Sequence, residues 1–251
     1  MPTHSETVTI AEYAEAEEQN REASIHRLSD VADLPDQIED LYQCMSDFLP
    51  RRASRDTAQY MALWMLCTEV RNEFIQIVLA ALRCHRSASF RGMRRAIELT
   101  GQSWLLHNRL DLVDVWWQRE QSDAGEKAAK DAFKVTALFP TSDQVVTPIY
   151  ERYQLKSRFV HPSLLSLAGG HRVDALDEGH QMVAEYFELP GDDTNEPLRN
   201  VVYACDTHLK LLDVFMRIFE QELAPNRPTL HVRFNAILAR LQMQIAKVAE
   251  R

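Results

Sequence analysis

The chain has 251 residues, is 45% hydrophobic and 26% charged, and carries a formal net charge of −9. That length suits one large or two small domains with a core that needs no staples. The acidic balance argues against a general nucleic-acid binder, and seven glycines are too few for an all-β fold rich in tight turns.

The charge is uneven. Residues 1–50 hold twelve acids and two bases, whereas residues 51–109 hold ten arginines, no lysine and four acids. Two readings stay open for that arginine-rich stretch: it serves an anionic ligand, or it pairs with the acidic N-terminal helices. The division expected is an acidic helical segment at 1–50 and a bundle domain with a single core at 51–251.

In chain order, the first helix is expected from Ser5, as N-cap, to Arg27, with Glu12, Glu15, Glu17 and Glu18 in its early turns. Its apolar face is thin: Ile10, Tyr13 and Ala14. A second helix spans Pro35 to Phe48, with Ile38, Leu41, Tyr42 and Met45 at helical spacing. The third, Ser54 to Arg83, is apolar on most sides, the mark of a central helix. Its stripe of Glu69, Asn72, Glu73 and Gln76 either faces water or lines a polar pocket.

The fourth helix, Ser87 to Asn108, sets Phe90, Met93, Ile97, Gly101 and Trp104 on one face, and Gly101 permits close packing there. Its other side carries Arg91, Arg95, Glu98 and Gln102, spaced to form a row. A short helix then holds Val113, Trp116 and Trp117. Another runs from Asp123 to Phe139, and a third opens at Thr147-Pro148 and stops at His161-Pro162. Residues 162–196 read as one long irregular loop, with a short strand expected from Gln181 to Leu189. Two amphipathic helices close the chain, joined by the Ala224–Pro228 turn. The fold class expected is therefore all-α, a bundle of about seven or eight helices.

Cys44, Cys67, Cys84 and Cys205 lie far apart and read as reduced, buried thiols. The N-terminal stretch is acidic and lacks an apolar signal core. The longest nearly apolar run, Phe74 to Leu82, is too short for a bilayer. The expected compartment is the cytoplasm, with no membrane association. No phosphate loop, dinucleotide fingerprint, nucleophile elbow or H-E-x-x-H occurs, so no cofactor is expected. His161, His171 and His180, with Asp174, Asp177 and Glu178 between them, match no strong metal signature, and no metal is assigned.

The most informative constellation couples two helices. One offers Arg91, Arg95 and Glu98. The other offers Tyr150, Tyr153, Ser157 and His161, the last three spaced by four and so on one face. His161 closes its helix, where a cation is favoured. If the faces meet, the site suits an anion or a small polar ligand, or acid–base work by the histidine. The alternative is a buried polar network tying two helices together.

The stretch Arg91 to Leu105, followed by Tyr153-Gln-Leu-Lys-Ser157-Arg-Phe-Val-His161-Pro-Ser163, resembles a bacterial helical family of unknown function, over roughly residues 55–220. The resemblance implies a helical bundle and no established activity. A more distant likeness is to the HEPN superfamily, helical bundles that include ribonucleases of toxin and defence systems. Lys156 and Ser157 stand where that family has Arg and Asn ahead of its histidine.

Two functions follow as expectations. The first is a cytosolic helical protein, in a bacterial defence or stress system, binding a partner or a small polar or anionic ligand through Arg91, Arg95, Glu98, Tyr153, Lys156, Ser157 and Arg158. The second is a metal-independent ribonuclease or toxin with His161 as general acid/base and RNA as partner. The thin first helix and the striped last one are candidate homodimer surfaces. Whether the chain is an enzyme is left open.

Overall fold

In a computed structural model of the chain, the residues described are 9–29, 31–50, 57–160, 171–176, 179–184 and 196–249. Helix α1 (Ile10–Arg27) begins after Thr9 rather than at Ser5, which lies outside the described residues. The Thr9 hydroxyl accepts from the Glu12 backbone N–H at 3.3 Å, and the Glu12 carboxylate accepts from the Thr9 N–H at 2.6 Å. This reciprocal pair satisfies two donors that a helix start leaves open.

Helix α2 (Leu34–Phe48) has Pro35 in its first turn, where a missing N–H costs nothing. It buries Leu34, Ile38, Leu41, Tyr42 and Met45, the stripe its spacing predicts. Helices α3 (Thr57–Leu82) and α4 (Arg86–Asn108) form a tight pair. Between them Cys84 takes a left-handed conformation, φ 63°. The His85 N–H then donates to the Ala80 carbonyl at 2.8 Å, closing α3. Cys84 is thus a turn residue and half-buried, as is Cys44; Cys67 and Cys205 are buried, and all four are free thiols.

The helix expected over 123–139 divides into α6 (Asp123–Ala132) and α7 (Val135–Leu138), because Lys134 is extended. Ahead of α6 lies α5 (Val113–Gln118), and after α7 comes α8 (Thr147–Val160). Helix α9 (Glu196–Ile218) is followed by the single turn α10 (Glu220–Leu223) and by α11 (Arg227–Ala249). The described residues hold eleven α-helical segments, more than the seven or eight expected, and the all-α bundle stands. Within 162–196 the described residues are not irregular. They form an antiparallel hairpin of β1 (His171–Leu176) and β2 (Gly179–Ala184), with His171 opposite Ala184 and His180 opposite Ala175. The strand expected at 181–189 therefore starts two residues earlier.

The central helix is α9, not α3. Sixteen of its 23 residues are buried, against eleven of 26 in α3, whose Met61, Trp64 and Met65 face outward. Residues of α2, α3, α4, α8, α9 and α11 share one apolar cluster. His208 of α9 sits inside it without exposure, its ring 4.7 Å from that of Phe74. The Tyr42 hydroxyl reaches its Nδ1, and its Nε2 has no partner among the described residues. No described helix is long and apolar enough to cross a membrane.

The acidic N-terminal segment does take up part of the arginine-rich stretch. Arg71 Nε donates to Glu39 at 2.8 Å, and Glu17 pairs with Arg83 and with His85. It also pairs with α11, through Asp33 with Arg240 and Asp40 with Arg233. Two further arginines of that stretch find acids elsewhere: Arg86 on Glu196 at 2.7 Å, and Arg109 on Asp111 at 2.6 Å.

Candidate functional site

Helices α4 and α8 meet, and a run of aromatic rings sets how. Gly101 on α4 has no Cβ, so the Phe139 ring lies against its backbone; an added Cβ would stand 2.8 Å from Phe139 Cζ. Phe139 stacks on Tyr150 with centroids 5.3 Å apart, and Tyr150 stacks on Tyr153 at 6.1 Å. Trp104 Nε1 donates to Asp143 Oδ2 at 2.6 Å and pins the segment ahead of α8. These contacts carry Tyr153, buried, to the face of α4 one turn beyond.

The arginine waiting there is Arg94. Its Nε donates to Glu98 at 3.1 Å and its Nη2 to the Tyr153 hydroxyl at 3.2 Å, with the guanidinium 5.3 Å from the Tyr153 ring centroid. Burial lifts the Tyr153 pKa above the ordinary phenol value. The neighbouring Glu98 carboxylate adds to the rise, and Arg94 and Ser157 oppose it, so the hydroxyl is neutral near pH 7. Ser157, one turn along α8, approaches that hydroxyl. Its Oγ is nevertheless buried without a well-formed hydrogen bond among the described residues.

The row expected on α4 is thus corrected at two of three positions. Glu98 joins Tyr153 and Ser157. Arg95 turns to α3 instead, donating to Glu69 at 2.8 Å and Glu73 at 3.0 Å. In the polar stripe of α3, Glu69 and Glu73 therefore form an ion-pair face toward α4, while Asn72 and Gln76 face water. Burial holds the Glu73 carboxyl above its usual range, against the pull of Arg95. Arg91 is exposed on the outer side of α4. The backbones of Lys156 and Arg158 belong to α8 but their side chains, and all of His161, lie outside the described residues.

Arg94 is the residue that the row reading passed over, although its i, i+4 spacing to Glu98 was visible. Chemically the cluster offers one cation, one carboxylate, a phenol and a serine hydroxyl. Arg94 and Glu98 neutralise each other, so the set provides directed donors and acceptors rather than a strong field.

No group of His, Cys, Asp and Glu among the described residues is arranged to hold a metal. His171 and the residue facing His180 stand four positions apart on β1, about 13 Å along the strand. Comparison with protein-family models, with curated proteins and with solved structures gives no match to this chain.

Proposed function

We propose that the chain is a helical binding protein that takes a small polar or anionic ligand beside the last turns of α8. The observation that carries this reading is the Ser157 hydroxyl, buried next to the Arg94–Glu98–Tyr153 network, where it approaches the Tyr153 hydroxyl without a well-formed hydrogen bond. A buried hydroxyl without a partner is costly unless something else completes it. Lys156 precedes Ser157 directly, Arg158 and His161 follow it within four residues, and together they would add positive charge to the same end. The resemblance to a bacterial helical family and to HEPN bundles supports a setting in stress or defence.

The test is a thermal-shift panel of nucleotides, amino acids and divalent metals on wild type and Ser157→Ala. The expected result is that one ligand class raises the wild-type melting temperature, and that Ser157→Ala folds as well as wild type but loses the shift. If the wild type instead arrests growth and cleaves total RNA, and His161→Ala abolishes both, the ribonuclease reading replaces this one.

A further inference from the structure

Helix α8 also faces α9, where Arg152 pairs with Asp206. Between α8, α9 and α11 lies a pocket of about 530 Å³, within the range that encloses small organic ligands. Its apolar walls are Pro148 and Ile149 of α8, Leu209 of α9, and Phe234 and Leu238 of α11. None of Arg94, Glu98, Tyr153 or Ser157 lines it.

One edge of the pocket is charged. Asp206, Lys210, Asp213 and Arg217 all come from α9 at spacings of three and four, so they share one helix face. Asp206 is buried. Both of its oxygens accept from Lys210 Nζ at 2.7 Å, and it also pairs with Arg152. Asp213 accepts from Arg217 Nε at 2.9 Å. The pocket edge itself holds two cations and two carboxylates, but Arg152, which does not line the pocket, also serves Asp206, so the ion-pair network as a whole carries one positive charge in excess. Lys210 has three N–H donors. Two go to Asp206, and the third faces no acceptor among the described residues.

We propose that this pocket binds a small carboxylic acid with an apolar body. The carboxylate takes the spare charge at Lys210 and Arg217, and the chain or ring lies on Leu209, Phe234 and Leu238. A dianion would exceed the single excess charge, and a neutral ligand would leave it unmatched. The site is separate from the Arg94 cluster and stands whether or not that cluster binds anything.

Isothermal titration of the full chain with octanoate, phenylacetate, octanol and octylamine tests this. Octanoate or phenylacetate is expected to bind, octanol about tenfold more weakly or worse, and octylamine not at all. Lys210→Gln leaves Asp206 paired with Arg152, and Arg217→Gln breaks only an exposed pair, so each is expected to unfold thermally like wild type. Together they should weaken the acid about tenfold or more; if the double variant does not fold, Arg217→Gln alone should still weaken it. Equal affinity for octanoate and octanol would mean adsorption to apolar walls and would overturn the proposal. So would binding of the acid that both substitutions leave unchanged, or no binding of either acid in the low millimolar range.

Discussion

The Tyr42 hydroxyl meets Nδ1 of His208 at 3.1 Å, in a core where both side chains are all but sealed from water. A neutral imidazole fits there; an imidazolium would be a buried charge with no acid acting on it among the described residues. Burial accordingly pushes the His208 pKa down to about 3 from an ordinary 6.5.

That shift makes stability depend on pH in a definite direction. Between pH 6.5 and about 3 the unfolded chain takes up a proton that the folded chain refuses. The folded state therefore loses stability as pH falls through this window, by up to about 1.4 kcal/mol per pH unit from this one group. Ordinary carboxylates titrate mostly below pH 5, and comparison with a variant separates His208 from the other eight histidines between pH 6.5 and 5. Urea midpoints measured across it should slope less in His208→Leu than in wild type; equal slopes would refute the assignment.

The two neighbouring arginines of α4 should behave differently. Arg94 is mostly covered and joins two helices through Glu98 and Tyr153. Arg95 is 59% exposed and so is screened by water at its own end of both ion pairs, with exposed Glu69 and with the more covered Glu73. Arg94→Ala is expected to cost about 1–3 kcal/mol, because it strips a charged donor from a buried phenol and a carboxylate. Arg95→Ala should cost less than about 1 kcal/mol. Chemical denaturation of the two variants checks the order.

Gly101→Ala tests the aromatic seat of α8. Alanine is the better helix former by about 1 kcal/mol, yet its Cβ would stand 2.8 Å and 2.9 Å from two Phe139 ring carbons and 3.1 Å from Leu138 Cβ. Overpacking of this kind costs about 1–3 kcal/mol, so the melting temperature should fall. Combining it with Phe139→Leu should restore part of the loss; a stabilised single variant would show that the ring is free to move.

Ser122 caps α6 by accepting from the Gly125 N–H at 3.1 Å. Ser122→Ala should cost about 1 kcal/mol. Because α6 is short and mostly exposed, the effect should appear as faster hydrogen exchange over Asp123–Ala132, with α9 unchanged.

Most helices were readable because side-chain direction within a helix follows from spacing. Leu34, Ile38, Leu41, Tyr42 and Met45 declare their buried face whatever packs on it. So do Phe90, Met93, Ile97 and Gly101 on α4. The break at Phe133–Lys134 was less visible, since neither Gly nor Pro marks it. The hairpin was half seen: alternation is faint in 171–184, and only its second strand was expected.

Contacts between elements were another matter. Rows at 91–95–98 and at 94–98 overlap on α4, and the turn of that helix against α8 selects the second for Tyr153 and gives Arg95 to α3. Apolar Met61, Trp64 and Met65 stay exposed because no described element covers them. Polar Asn200, Asp206, Thr207 and His208 are buried because α9 is enclosed on several sides. Periodicity settles where a side chain points along its own helix. Burial, pairing and titration depend on which other helix arrives there, and only packing of the whole bundle settles that.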